Sequence, residues 1–120
     1  MTQEQKDLLL KDLCARLPYG VKGEKYTIRM DGEFVPLIDV EIIIAEDIIT
    51  LNGCPGYMIR PYLFPLSSMT EEQKTSHNFL KHSVYANPIK LVDWYNKNHF
   101  DYRGLIPMGS AIDATGKNIY

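Results

Sequence analysis

The sequence predicts an α+β domain with an N-terminal helix, a three- or four-stranded antiparallel β meander, and two C-terminal helices packed on one face of the sheet. Three observations predict this class. Apolar residues recur at helical spacing before Pro18, alternate with polar residues between Lys25 and Arg60, and return to helical spacing after Thr70. A domain of this kind buries one face of its sheet against helices.

The first helix is expected over Thr2–Leu17. Its first residue is followed three positions later by Gln5, which is the spacing of a capping box. Leu9 and Leu13 stand four residues apart and begin an apolar stripe along one side. Pro18 ends the helix, because the residue before a proline avoids helical dihedral angles.

Four short runs between the first helix and Arg60 predict the strands of the meander. Asp31-Gly32 is a strong two-residue hairpin signal, and Glu46-Asp47 indicates a further turn. Pro36 places the start of the second strand at an edge or a bulge, because proline cannot donate to the strand ladder. Short connections of this kind join antiparallel strands. The predicted strands are Lys25–Met30, Phe34–Ala45, Ile48–Leu51 and Tyr57–Arg60.

Two further helices are predicted after an irregular connection that contains prolines. Thr70 is followed three residues later by Gln73, which indicates a second capping box. Asn87-Pro88 gives the last helix a capping side chain and a proline at its first position. The segment Phe100–Ile112 is expected to be a loop with a short strand, and residues 115–120 a frayed tail. No linker divides the chain, so residues 1–120 are expected to form one domain.

Composition and charge argue against several classes of protein and partner. Apolar residues make up 45% of the chain and charged residues 23%, values typical of a globular rather than a disordered protein. No apolar run approaches the ~20 residues of a membrane-spanning helix, and the N-terminus lacks the features of a signal peptide. We therefore expect a cytoplasmic protein that does not enter the membrane. The net charge of −2 and the scattered basic residues argue against nucleic acid as a partner.

The sequence carries no recognisable motif for a cofactor or for catalysis. It has no phosphate-binding glycine loop, no dinucleotide fingerprint and no CxxC or HExxH pattern. On one helix, His77 and His82 would stand about 140° apart around the axis, so they do not predict a shared metal site. We expect no cofactor, no metal and no catalytic residue.

The second half of the chain combines aromatic residues with arginine, which is the composition of interface hot spots. The same composition suits base-stacking platforms, and a plainer interpretation is that these rings fill the core between helix and sheet. Irregular, proline-containing backbone would present such rings at low entropic cost. The binding surface predicted on this basis consists of Arg60, Tyr62, Phe64, Tyr102 and Arg103.

Three blocks of sequence carry a resemblance that covers most of the chain. They are Leu10–Val21, Ile59–Gln73 and Asp93–Ile106, the last running on to Gly109 and Ala111-Ile112. In this order they resemble a family of small uncharacterised proteins from Bacteroidales genomes and their prophages. The resemblance implies a bacterial or phage cytoplasmic protein of roughly this length. No activity is known for the family, so no catalytic residue is carried over.

We predict a small non-enzymatic interaction or accessory protein of the mobile-element type, with an unidentified protein partner. One alternative is an enzyme or small-molecule-binding protein with a site near His82 and His99, for which Asp101 and Cys54 are further candidates. Another is a nucleic-acid accessory factor, whose binding would fall steeply with added salt. The oligomeric state stays open, because isoleucine-rich strands suit both pairing with a second copy and burial within one chain.

Overall fold

The computed structural model describes residues 2–28 and 31–120. Within those residues it confirms an α+β protein with an N-terminal helix, and it contains four α-helices and a mixed sheet. Residues 29 and 30, the end of the first predicted strand, lie outside the described residues. In chain order the elements are α1 (Gln3–Arg16), β1 (Lys22–Ile28), β2 (Phe34–Ile42), α2 (Ala45–Gly53), β3 (Tyr57–Leu63), α3 (Glu71–His82), α4 (Pro88–Lys97) and β4 (Ile112–Asp113).

Helix α1 begins and ends where the sequence predicts. The Gln5 N–H donates to Thr2 Oγ1 at 3.1 Å and the Thr2 N–H donates to Gln5 Oε1 at 2.9 Å, so both halves of the capping box form. Beyond Arg16, Pro18 lies in a single 3-10 turn and Gly20 adopts a φ of 70°. Glycine takes this left-handed conformation without strain, and it turns the chain into β1.

The strands of the sheet are ordered β2-β1-β3-β4. Strand β1 pairs antiparallel with both β2 and β3, whereas β4 lies parallel to β3, with Tyr62 opposite Ile112. The predicted antiparallel meander is therefore wrong. The chain leaves β2 through helix α2 and returns on the other side of β1, and it reaches β4 only after α3 and α4. Parallel pairing requires a long connection of this kind, which tight turns cannot supply.

The predicted third strand, Ile48–Leu51, is part of helix α2. The predicted turn at Glu46-Asp47 is instead the first turn of this helix, where the Asp47 carboxylate accepts the Ile44 N–H at 2.9 Å. Asp47 and Leu51, four residues apart, are buried, while Ile49 is exposed. Burial at helical spacing outweighs the preference of β-branched residues for strands, which depends strongly on context.

Strands β1 and β3 approach closely at Gly23, which lies opposite Pro61. A Cβ atom added at Gly23 would stand 2.7 Å from the Arg60 carbonyl oxygen and 3.1 Å from Pro61 Cα. Pro61 is fully buried, and it lies just before the part of β3 that pairs with β4, which begins at Tyr62. Glycine is therefore required where β1 passes this proline.

The main hydrophobic core lies between the sheet and helices α1 and α2. Its central members are Leu9, Leu13, Leu51, Ile59 and Leu63. A second, smaller cluster joins α4 to the end of β3, and its buried members are Met69, Tyr95 and Phe100. The predicted packing of both C-terminal helices on one sheet face is not observed, because α1 and α2 supply the helical side of the main core.

Helices α3 and α4 form at their predicted positions. The Gln73 N–H donates to Thr70 Oγ1 at 3.2 Å, and the Thr70 N–H donates to Gln73 Oε1 at 2.8 Å. Asn87 Oδ1 accepts two backbone N–H groups from the first turn of α4, and Pro88 occupies the first helical position. Helix α3 buries none of its residues fully. Among the residues that the structure describes, no helix is long and apolar enough to cross a membrane.

Candidate functional site

The five residues of the predicted binding surface lie around the end of β3 and beside α1. Arg60 and Tyr62 belong to β3 and Phe64 follows it, whereas Tyr102 and Arg103 belong to the irregular segment after α4. Tyr62 is buried and the other four residues are half-buried. All five contact other parts of the chain through rings, hydrogen bonds or ion pairs. These contacts tie the five side chains into the fold.

Glu24 organises the part of the sheet that carries Arg60 and Tyr62. Its carboxylate accepts hydrogen bonds from the hydroxyls of Tyr26 and Tyr62. Glu24 lies opposite Arg60 across the β1–β3 pair. The Arg60 guanidinium carbon stands 5.4 Å from the Tyr26 ring centroid, within the range of a cation–π contact. Two phenols, a carboxylate and a guanidinium therefore share one face of the sheet.

Tyr102 and Arg103 belong to a second group, which surrounds the end of α1. The side chains of Asp12 and Arg16 are fully buried, and Arg16 Nε donates to Asp12 Oδ2 at 2.8 Å. Arg103 Nε donates to the other Asp12 oxygen at 3.1 Å. The Tyr102 ring lies against both guanidinium groups, 5.3 Å from Arg16 Cζ and 4.8 Å from Arg103 Cζ. Because buried charges are costly without partners, one carboxylate holds α1 to the segment after α4.

Tyr120 lies with its ring flat against His99, and the two ring centroids are 3.6 Å apart. The Tyr120 hydroxyl accepts the Lys22 N–H at 2.8 Å and donates to the Tyr62 carbonyl oxygen at 2.8 Å. The Phe64 ring centroid is 6.0 Å away and the Lys22 ammonium is 5.8 Å from the tyrosine ring. Tyr120 belongs to the segment predicted to fray, and these contacts give it a defined position.

His99 forms one wall of the site that holds Tyr120. Burial, together with the positive charges of Arg16 and Lys22, lowers the pKa of His99 to about 4, so the imidazole is neutral near pH 7. Its Nδ1 is enclosed and has no hydrogen-bond partner in the described part of the chain. Its φ of 60° lies in the left-handed region, which residues other than glycine seldom adopt. The fold therefore holds the His99 backbone in an unusual conformation and encloses its imidazole Nδ1.

The remaining candidates for catalysis have separate environments. His82 is exposed at the end of α3, and Cys54 is an exposed free thiol after α2. The two carboxylate oxygens of buried Asp101 accept backbone N–H groups, one from Leu105 at 2.8 Å and one from Ile106 at 2.9 Å. Asp101 thus stabilises a turn. Among the described residues, no three His, Cys, Asp or Glu side chains are grouped to hold a metal ion.

An exposed apolar surface at the α3–α4 hairpin was missed from the sequence. Phe79 of α3 and Tyr85 of the connection stack with their ring centroids 6.0 Å apart, yet they are 53% and 73% exposed. Beside them lies an open groove with a volume of 420 Å³. Its lining residues are Thr75, Ser76, Phe79, Leu80 and Trp94. We call Tyr85 and this groove the α3–α4 surface.

His77 supports one wall of the α3–α4 surface. Its Nε2 is 2.6 Å from the Tyr95 hydroxyl oxygen, and its ring stacks on Trp94 with the centroids 5.9 Å apart. Burial is the main cause that lowers the pKa of His77. The sequence does contain a signal for this surface. The apolar residues of the second predicted helix, Phe79, Leu80 and Val84, form a face too narrow for a helix that packs against a core.

No protein-family model, curated protein or solved structure matches this chain. The class of protein is therefore defined by its fold and its surfaces alone. It is an α+β domain with an exposed aromatic surface at one helical hairpin and a partly buried aromatic site beside His99.

Proposed function

We propose that the protein is a small, non-enzymatic interaction protein that binds a partner polypeptide through the α3–α4 surface. On this proposal it acts in the bacterial cytoplasm, as an accessory protein of the mobile-element type that its sequence resembles. The observation that supports the proposal is the exposed stack of Phe79 and Tyr85 beside an open groove.

Exposed aromatic rings of this kind favour association. Covering a large apolar side chain contributes about 1.5–3 kcal/mol, and aromatic residues are enriched among the side chains that carry most of the energy of an interface. Because Phe79 and Tyr85 already stack on each other, a partner has less side-chain entropy to overcome when it orders them. The same hairpin also exposes Val84 and Ile89.

The groove beside the stack is open to solvent and is large enough to receive a side chain of a partner. Its volume of 420 Å³ lies in the range of about 300–1,000 Å³ that is usual for binding pockets. Trp94 and Leu80 supply apolar walls, and the polar residues Thr75 and Ser76 also line the groove. An apolar side chain with a neighbouring polar group is the occupant that such a lining favours.

The test is a pull-down from bacterial lysate with the tagged protein and with two single variants. Phe79→Asp places a charge in the α3–α4 surface. Lys81→Asp is the matched control, because two further residues rotate a side chain by about 200° around the helix. Each capture is made from one portion of lysate treated with nuclease and one left untreated, and each variant is first checked for an unchanged thermal unfolding midpoint.

We expect a protein that survives nuclease treatment, binds the wild type and Lys81→Asp, and is lost with Phe79→Asp. A partner bound equally by both variants contradicts the proposal, as does the absence of any specific partner. Capture that disappears after nuclease treatment would favour the nucleic-acid alternative instead.

A further inference from the structure

We propose that the site beside His99 binds a phenolic hydroxyl group, and that Tyr120 is its displaceable internal occupant. We call this the phenol site; it is formed by the rings of His99 and Phe64, the Lys22 N–H and the Tyr62 carbonyl oxygen. It is separate from the α3–α4 surface, and it would stand if that surface proved to have no partner.

The polar end of the phenol site is complementary to a hydroxyl group. The Lys22 N–H requires an acceptor, while the Tyr62 carbonyl requires a donor, and the two bonds to Tyr120 are both 2.8 Å long. A hydroxyl supplies both functions from one oxygen atom. A carboxylate could not donate to the Tyr62 carbonyl, and an ammonium could not accept from the Lys22 N–H, so neither group makes both bonds.

The walls of the phenol site are complementary to a planar aromatic ring. His99 lies 3.6 Å from the Tyr120 ring centroid with planes 10° from parallel, and Phe64 lies 6.0 Å away at a steeper angle. The Lys22 ammonium stands 5.8 Å from the same centroid, in reach of a cation–π contact. Stacked, tilted and cationic contacts together select a ring over an aliphatic alcohol.

The backbone that carries the walls of the phenol site is held by hydrogen bonds that do not involve Tyr120. The Phe64 N–H donates to the His99 carbonyl at 2.8 Å and the Asp101 N–H donates to the Phe64 carbonyl at 2.9 Å. Neither bond involves Tyr120. A ring that leaves would therefore expose a preformed site rather than collapse it.

Tyr120 is attached by a segment with few contacts of its own. Residues 115–118 are exposed, and their turn is held by the Lys117 N–H, which donates to the Ala114 carbonyl at 3.1 Å. The Ile119 carbonyl accepts the Lys22 ammonium at 2.9 Å. Tyr120 itself stays 42% exposed as a residue, although burial of its hydroxyl raises the pKa of Tyr120 to about 12. Withdrawal of the segment breaks these contacts and leaves the core in place.

A phenolic group reaches such a site from two sources, a tyrosine side chain on a partner or a free small phenol. The probes that distinguish them are N-acetyl-tyrosinamide and p-cresol. Toluene is the matched control, because it has the shape of p-cresol without the hydroxyl.

The experiment titrates each probe into Tyr120→Ala and into the wild type, in which Tyr120 still occupies the site. We expect p-cresol to raise the thermal unfolding midpoint of Tyr120→Ala saturably and to bind about tenfold more tightly than toluene, the factor that ~1.4 kcal/mol represents. The wild type should respond only weakly, because the internal ring still competes. Equal binding of toluene and p-cresol, or no binding, overturns the proposal.

A second measurement uses the wild type, in case Tyr120→Ala does not fold cooperatively. In an NMR titration with p-cresol, the Tyr120 ring resonances should move toward those of an exposed tyrosine while the resonances of Tyr57, at the start of β3, stay in place. Unchanged Tyr120 resonances at saturating p-cresol contradict displacement. If N-acetyl-tyrosinamide binds more tightly than p-cresol, the natural ligand is a tyrosine of a partner; the reverse order identifies a free phenol.

Discussion

Removal of the Asp12 carboxylate tests the buried charge network most sharply. Asp12→Ala leaves the guanidinium of Arg16 fully buried without its carboxylate, and Arg103 loses the same partner. Breaking a buried ion pair by removing one partner costs about 3–5 kcal/mol. A domain of this size has a free energy of unfolding of about 5–15 kcal/mol, so the variant should lose a large fraction of its stability.

The assay is urea unfolding followed by circular dichroism, with the free energy extrapolated linearly to water. The matched control is Glu71→Ala, which removes the exposed partner of Lys74 in a 3.2 Å ion pair. Exposed pairs of this kind contribute about 0–1 kcal/mol. Comparing the two variants therefore shows how much more unfolding free energy is lost with a buried carboxylate than with an exposed one.

A loss of less than about 1 kcal/mol in Asp12→Ala would refute the reasoning, since it would equal the exposed control. A double variant, Asp12→Leu with Arg16→Met, checks the cause. Replacing a buried pair by apolar residues is often neutral or stabilising, so the double variant should unfold at higher urea concentration than Asp12→Ala alone.

Three further predictions concern local contacts. Tyr120→Phe removes the hydroxyl that bonds the Lys22 N–H and the Tyr62 carbonyl, and because these bonds are not fully buried it should lower the free energy of unfolding by about 0.5–1.5 kcal/mol in a urea titration. Because the pKa of His99 is lowered from 6.5 to about 4 in the folded chain, the unfolded chain binds the proton more readily. The free energy of unfolding should therefore be highest above about pH 6.5 and fall as the pH drops toward 4, and it should change less with pH in His99→Asn. Gly23→Ala should destabilise strongly, since its Cβ would meet the Arg60 carbonyl oxygen at 2.7 Å, whereas Gly53→Ala, with open space around it, should unfold like the wild type.

The helices with polar caps could be predicted from the sequence because their signals are local. Thr2 and Thr70 lie three residues from the glutamines that complete their capping boxes, and Asn87 caps α4 through two backbone N–H groups. Such signals need no knowledge of the rest of the chain. The first two strands could also be predicted from the sequence, because polar and apolar residues alternate on both sides of Asp31-Gly32.

Helix α2 and the order of the strands could not be predicted from local pattern. Isoleucine-rich sequence suits a buried strand and a buried helix equally over short lengths, and the choice at residues 45–53 depends on which side chains reach the core. Asp47 is buried because it pairs with Lys25 of β1 at 2.9 Å, a contact between distant parts of the chain. The pairing of β3 with β1 is likewise a contact between distant parts of the chain, which local pattern does not indicate.

The charge network of Asp12 and the site of Tyr120 could not be predicted from the sequence for a related reason. Arg16 Nη2 donates to the Phe100 carbonyl across 84 positions, and the Tyr120 hydroxyl meets Lys22 across 98. The sequence indicates that these residues are aromatic or basic, and only the fold shows which of them meet. Of the five residues of the predicted surface, Tyr62 and Phe64 contact Tyr120, but that prediction did not include His99 or Tyr120, which define the site.

The most direct test of the proposed interaction places a photo-crosslinking amino acid at position 85 or, as the control, at position 81 of the full chain. Both positions are exposed, but only position 85 belongs to the α3–α4 surface. After irradiation in cells, we expect position 85 to form a covalent adduct with a discrete partner protein and position 81 to form none. Equal labelling at the two positions, or no adduct at position 85, would contradict the assignment of this surface as the interface.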